Sequence, residues 1–423
     1  MEFERRVNNK IPYDEEPILR RSVPTRAREV DRPSGTSSFG KLIICLLLIV
    51  NVVLGVLVVR IYQSRSDYIG ASYTVNNTIQ GASMSQATSK AVLSAVCVSA
   101  GTYEDSEGTH SASELKYFYN VKSRGAGVIY TMDKSRGDAI IVTNYHVIEP
   151  DVSNVYILLY GSQVPIQVSV VGYTSTYDIA VLKVTSSKEL KASGAVACTA
   201  ADSSKLAIGD MCVAIGNPLA MGIASTIGNV SVPYEYMSIQ GGGIVRVIRT
   251  DSAINSGNSG GGLFNEKGEF IGIVNAKINN SSVENVAFAI PSNLVLSIAD
   301  NIVKNNGVLK KLTLGMTIQI DSSYSTYNQT TGRTIIDYTV KVSEITLGSL
   351  ASQCGMQKDD MLISMTYNGK TVSVNHIYTI EDNVFNLDKN STLSFTIKRK
   401  TAGNTETKDV YFTLQSNNFT TVS

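Results

Sequence analysis

The chain has no tryptophan and only three histidines in 423 residues. Charged residues make up 17% of it and balance to a net charge of +1. With no basic stripe interleaved with aromatics, the sequence makes no case for nucleic acid as a partner. Five cysteines (Cys45, Cys97, Cys198, Cys212 and Cys354) are scattered without a C-x-x-C pair, which argues against a zinc or redox centre. Cys97, Cys198 and Cys212 lie in apolar segments and read as buried free thiols. Spacing leaves a Cys198–Cys212 disulfide open. No glycine-rich loop is followed by Lys-Ser or Lys-Thr, so no cradle for the phosphates of ATP is visible.

One long apolar run is present. Leu42 to Val59 carries no charged residue. At about 1.5 Å per helical residue it covers most of a bilayer core. The long preceding segment and the missing small-x-small cleavage site favour an uncleaved anchor over 41–61 rather than a signal peptide. Arg20, Arg21, Arg26, Arg28, Arg32 and Lys41 flank it on the N-terminal side, and few basic residues follow it. The positive-inside bias then puts the N-terminus in the cytoplasm and the rest of the chain outside it. Residues 1–40 have the composition of a disordered tail. Residues 62–88, rich in Ser, Thr, Asn and Gly, read as a flexible tether.

Residues 256–261 read Ser256-Gly257-Asn258-Ser259-Gly260-Gly261. A serine hydroxyl is a poor nucleophile without a base beside it and N–H groups to receive the developing oxyanion. Glycines around Ser259 allow the N–H groups of Gly257 and Ser259 to converge. A charged turn and the strand-like Phe270–Val274 follow, which suits a β protein. Among the histidines, His146 closes the apolar run Ala139–Val142 and has the best context for a base. His110 and His376 read as solvated surface residues. Asp178 opens the apolar run Ile179–Val184 and is the candidate acid to orient His146.

Taken together, these segments resemble the HtrA (Deg) family of trypsin-like serine proteases. The resemblance runs through Thr143-Asn144-Tyr145-His146-Val147, Asp178–Lys183, Gly209-Asp210, Val213–Pro218, Thr250–Asn255, Gly257–Gly261 and Ala287–Pro291, in the family's order. It implies His146 as general base, Asp178 as its orienter, Ser259 as nucleophile and the Gly257 and Ser259 N–H groups as the oxyanion hole. Ser256 and Gly262 stand where the family usually has proline, which predicts a looser loop.

Short β-rich runs bounded by Gly, Asp and Asn recur from about Ala91 to Ile290, as in a barrel or sandwich. The expected fold class is all-β. The resemblance implies a chymotrypsin-like double β-barrel over 89–305, and the pattern of residues 292–305 reads as an amphipathic helix, capped by Ser292, that closes this domain. The resemblance also implies a PDZ-like α+β domain over 308–416. There Leu314, Gly315 and Met316 would hold a peptide's C-terminal carboxylate and pair with its strand. Asp359 stands where that domain usually has glycine, and aspartate tolerates positive φ better than most residues.

The expected protein is a membrane-anchored serine endopeptidase cleaving unfolded or damaged polypeptides outside the cytoplasm, with no metal or organic cofactor. A homotrimer is implied by the resemblance alone. The segment Ser252-Ala253-Ile254-Asn255 would floor the specificity pocket and favour small aliphatic residues. Two alternatives stay open at this point: a catalytically silent peptide-binding scaffold or chaperone, and an esterase using the same three residues.

Overall fold

A computed structural model describes residues 77–101, 121–218, 221–239, 242–276, 286–401 and 404–423. The expected tail, the anchor over 41–61 and His110 lie outside these. Among the described residues, no helix is long and apolar enough to cross a membrane.

Two closed antiparallel barrels of six strands make up the first part. Strands β1 (Ala95–Gly101), β2 (Val121–Asp133), β3 (Asp138–Thr143), β4 (Val155–Leu159), β5 (Ile166–Thr174) and β6 (Ile179–Val184) close in the order β1-β2-β3-β6-β5-β4. Strands β7 (Met211–Gly216), β8 (Ala224–Ser238), β9 (Ile244–Thr250), β10 (Gly262–Asn265), β11 (Phe270–Val274) and β12 (Ala287–Pro291) close as β10-β11-β12-β9-β8-β7. The period of two is plain in β4, where Val155, Ile157 and Leu159 point inward. β11 is buried along its whole length, as its unbroken apolar run requires. Val96, Ile141 and Leu182 fill the first barrel, and Ile248, Leu263 and Ile271 the second. Each such side chain contributes roughly 1.5–3 kcal/mol by leaving water.

The tether ends earlier than its composition suggests. Asn77–Ala91 is a helix, so the final part of the expected flexible segment 62–88 is ordered. Met84, Ala87 and Ala91 are buried along one helical face. Ala87 lies so near Gly268 that a Cβ on that glycine would sit 2.8 Å from the Ala87 carbonyl oxygen. A sparse apolar stripe among many polar residues is lost when composition is averaged over the segment.

The helix Ser292–Lys304 closes the barrels with Leu294, Val295, Ile298 and Ile302 inward. Its cap differs from expectation. Pro291 occupies the N-cap position, and the Ser292 hydroxyl instead donates to the Ala201 carbonyl at 2.9 Å. The four described cysteines are free, so the Cys198–Cys212 disulfide is not formed. Burial lifts the Cys97 thiol to about 11 and that of Cys198 to about 12, which keeps both as thiols.

The remaining residues form β13 (Leu309–Leu312), β14 (Met316–Asn328), β15 (Arg333–Ile345), β16 (Met361–Tyr367), β17 (Lys370–Ser373), β18 (Leu393–Thr401), β19 (Asn404–Phe412) and β20 (Phe419–Val422). The sheet runs β14-β15-β16-β18-β19, with β17 on β16 and β14 at one edge. β20 lies beyond the expected limit at 416 and pairs with β13. The helix Ile377–Val384 packs its apolar side inward. Asp359 does adopt positive φ, at 67°.

His376, expected on the surface, is only 2% exposed. Its ring lies 4.0 Å from that of Tyr378, 4.4 Å from Tyr234 and 4.6 Å from Tyr338. Tyr234 belongs to β8 of the second barrel, so packing between distant parts of the chain buries this histidine. Beside it, Arg246 of β9 forms an ion pair with Asp382, its Nη2 donating to both carboxylate oxygens at 2.6 and 2.9 Å.

Candidate active site

β3 ends at Thr143, and the helical turn Tyr145–Ile148 that follows carries His146 out of the first barrel. Asp178 ends the turn between β5 and β6 with φ 52°, a left-handed conformation that aspartate tolerates. From there its carboxylate takes two bonds from one residue. His146 N–H donates to Oδ1 at 2.9 Å, and His146 Nδ1 meets Oδ2 at 2.6 Å. Backbone and ring together fix the imidazole's orientation. Asn144 Nδ2 donates to the Asp178 carbonyl at 2.9 Å, tying the turn to the end of β3.

Ser259 comes from the second barrel, in the loop before β10, and is buried. The first barrel grips it directly: Ala126 N–H of β2 donates to the Ser259 carbonyl at 2.8 Å. Gly260 makes that approach possible. It has φ 81°, and a Cβ there would sit 2.2 Å from both Ala126 O and Thr143 Oγ1. Within the loop, the N–H groups of Asn258, Gly260 and Gly261 are bonded to carbonyls of Asn255, Val274 and Asn258. Among the described residues, no such partner engages the N–H groups of Gly257 and Ser259.

His146 and Ser259 line one open cleft of about 480 Å3, together with Glu149, Ile254, Asn255, Ser256 and Ala276. The Ser259 hydroxyl accepts the Ala276 N–H at 3.3 Å, and no hydrogen bond joins it to His146. Contacts of this kind are often long before substrate binds. Of the four residues expected to floor the pocket, Ile254 and Asn255 line the cleft. Ser252 does not: its hydroxyl is turned to Thr250 Oγ1 at 3.0 Å, in a buried cluster with Cys212. Ala253 is exposed and does not line the cleft either.

Sequence reasoning missed three contributors. Asn275 is fully buried and its Nδ2 donates to Asp178 Oδ2 at 2.8 Å. Ala276 supplies the N–H to Ser259, and Glu149 puts an acid at the cleft. A polar residue straight after a wholly apolar strand was the available signal for Asn275. Leu314, Gly315 and Met316 sit apart from this cleft, at the entry to edge strand β14. The Leu314 carbonyl accepts Ala351 N–H at 2.9 Å, and that of Gly315 accepts Thr346 N–H at 2.9 Å and the Ser349 hydroxyl at 3.1 Å.

The sequence pattern of the trypsin-like peptidase domain matches residues 125–273, which include His146, Asp178 and Ser259. The serine protease Do-like HtrA of Lactococcus lactis subsp. lactis (strain IL1403) is 34% identical over 329 residues, covering 75% of this chain and 77% of that protein. The chain belongs to the HtrA family of serine proteases. It is a serine endopeptidase. A probable periplasmic serine endoprotease DegP-like of Chlamydia trachomatis serovar D is 32% identical over 251 residues, covering 59% of this chain and 46% of that one. The structure of an HtrA-type protease, AlgW with tripeptide, shares the fold at a TM-score of 0.51 and 21% identity, over 78% of this chain and 97% of that one. The all-β double barrel of chymotrypsin type is thus common to the HtrA chain and its neighbour.

Proposed function

We propose that this HtrA protease cuts polypeptides through an acyl-enzyme, with Ser259 as nucleophile, His146 as general base and Asp178 as its orienter. The observation that carries the reading is the 2.6 Å contact of His146 Nδ1 with Asp178, made at the cleft that Ser259 also lines. Substrate binding turns the serine hydroxyl from Ala276 toward His146 Nε2. The imidazole takes its proton as Oγ attacks the peptide carbonyl, and Asp178 stabilises the imidazolium. The Gly257 and Ser259 N–H groups receive the oxyanion. The proton then passes to the leaving amine, and water hydrolyses the ester.

The wider assignment follows the same family. Residues 41–61 anchor the chain in a membrane, with residues 1–40 cytoplasmic and the protease domain (89–305) outside the cytoplasm. The periplasmic description of the chlamydial relative supports that side. Unfolded or damaged proteins are the substrates, cut after small aliphatic residues, as Ile254 in the cleft favours. The region from 308 is PDZ-like and takes peptide C-termini at Leu314, Gly315 and Met316, where β14 offers a free edge. The assembly is a trimer by family analogy.

A fluorophosphonate probe tests the core of this reading, because it reacts only with an activated serine. Wild type is expected to label and Ser259→Ala, His146→Ala and Asp178→Asn to lose most or all labelling. Equal labelling of wild type and Ser259→Ala would end the assignment. Absence of labelling in wild type would overturn the acyl-enzyme reading of Ser259.

A further inference from the structure

Asp178 sits in strained backbone, and its own turn supports it weakly. Its N–H reaches the Ser175 carbonyl at 3.4 Å. Stronger support comes from the far end of the chain. Thr176 N–H and the Thr174 hydroxyl both donate to the Ser423 carbonyl, at 3.0 and 2.8 Å. Tyr177, the residue before Asp178, is 4% exposed, and its ring stands edge-on to Phe385 at 5.5 Å and 89°. Lys311 of β13 donates to the Tyr177 hydroxyl at 3.1 Å.

Phe385 is the C-cap of the helix Ile377–Val384, and its carbonyl is held by Asn301 Nδ2 at 2.7 Å. The end of this helix is therefore tied to the helix Ser292–Lys304 that closes the barrels. One peptide unit separates its contact on Tyr177 from the carboxylate that fixes His146. A ring packed edge-on has a preferred geometry and resists sliding. Loss of that packing frees the turn to relax its left-handed residue, and the carboxylate moves with it. Misplacement by about 1 Å costs on the order of a hundredfold in rate.

We propose that Tyr177 is a positioning residue for the protease reaction: clamped between Phe385 and Lys311, it makes the orientation of Asp178 depend on how the helix Ile377–Val384 is seated. The proposal rests on the triad assigned above. It gives the C-terminal region a route to the catalytic acid.

The test uses the full-length enzyme and a short chromogenic peptide that fits the cleft. Phe385→Ala is expected to lower kcat about tenfold or more with KM within about twofold. Phe385→Tyr, which keeps the ring edge, is expected to restore kcat to within about twofold of wild type. Lys304→Ala breaks the Lys304–Asp388 ion pair of the same interface without touching the turn, and is expected to leave kcat within about twofold. A folded Phe385→Ala with wild-type kcat would overturn the proposal, and so would an equal loss in Lys304→Ala. Should Phe385→Ala not fold, Phe385→Leu fills the site without a ring and carries the same expectation. Asp178→Asn separates the two readings: full activity there overturns the triad, and with it the role of Tyr177. An inactive Asp178→Asn beside an active, folded Phe385 variant overturns the clamp alone.

Discussion

Asn275 Nδ2 and His146 Nδ1 share one oxygen of Asp178, at 2.8 and 2.6 Å. The carboxylate is thus held from both barrels, by His146 of the first and by the residue leaving β11 of the second. Asn275 cannot drift, because its own N–H is bonded to the Phe288 carbonyl at 2.9 Å. The next residue, Ala276, donates its N–H to the Ser259 hydroxyl at 3.3 Å. Two adjacent residues therefore set the positions of the acid and the serine together.

Replacing Asn275 with alanine removes a hydrogen bond to a charged group, worth about 1.5–3 kcal/mol. The expected result is a fall in kcat of roughly 10- to 100-fold with KM little changed. Steady-state kinetics on a short peptide checks it. An unchanged kcat in a folded variant would show that His146 alone suffices to orient Asp178.

A second expectation concerns the charge at the cleft. Glu149 is exposed and, apart from the titratable His146, is the ionisable group among the residues lining it. A charge in that position steers substrates more than it binds them. Glu149→Gln should lower kcat/KM for peptides bearing lysine or arginine near the scissile bond by about three- to tenfold, and the loss should shrink at high salt. Neutral peptides should be cut as before. Profiling both enzymes on one peptide library, at two ionic strengths, decides this.

Much of the cleft was legible because its chemistry sits in short runs of sequence. Ser259 among glycines, His146 after a buried strand and Asp178 before one are local patterns, and short β-rich runs bounded by Gly, Asp and Asn announced the strands. What stayed hidden was set by contacts between remote segments. His376 follows Asn375 and reads as a surface residue until Tyr234 of β8 is packed on it. Arg246 lies in an ordinary strand, and nothing nearby reveals that Asp382 covers it. Ser252 was expected at the pocket floor, yet Thr250 and Cys212 capture its hydroxyl. Asn275 acts through a residue almost a hundred positions earlier in the chain, which no local pattern encodes.

The buried histidine gives stability a pH dependence. Burial, reinforced by nearby Arg246, holds His376 at about 4 against an ordinary 6.5. The unfolded chain therefore binds a proton between these values and the folded protein does not. This contribution is complete above about pH 6.5 and is lost progressively as pH falls to about 4. Asp382 has the opposite sign. Burial outweighs the pull of Arg246 and lifts its carboxyl to about 6, so the folded form takes up a proton first and gains stability as pH falls through that range. The two partly cancel in the wild type. Comparison with His376→Gln isolates the histidine: the variant should gain on wild type steadily as pH is lowered from 7 to 4. A difference in unfolding midpoint that stays constant with pH would contradict the assignment.

The Arg246–Asp382 pair offers the sharpest test of how the C-terminal region is held to the barrels. Both side chains are almost wholly buried, at 2% and 5% exposure, and the guanidinium also lies 4.3 Å from the centre of the Tyr378 ring. Two charges taken out of water gain little net stability from each other, but one left alone is costly. Asp382→Leu strands a buried guanidinium and should destabilise the protein by about 3–5 kcal/mol. Arg246→Met should cost a similar amount by stranding the carboxylate, softened by protonation of Asp382 at acid pH. The double variant Arg246→Met/Asp382→Leu removes both charges and should recover most of the loss. Denaturant unfolding of the four proteins closes the cycle. Single-variant losses that simply add in the double variant would mean that the two residues act independently, against the direct contact of Arg246 Nη2 with both carboxylate oxygens.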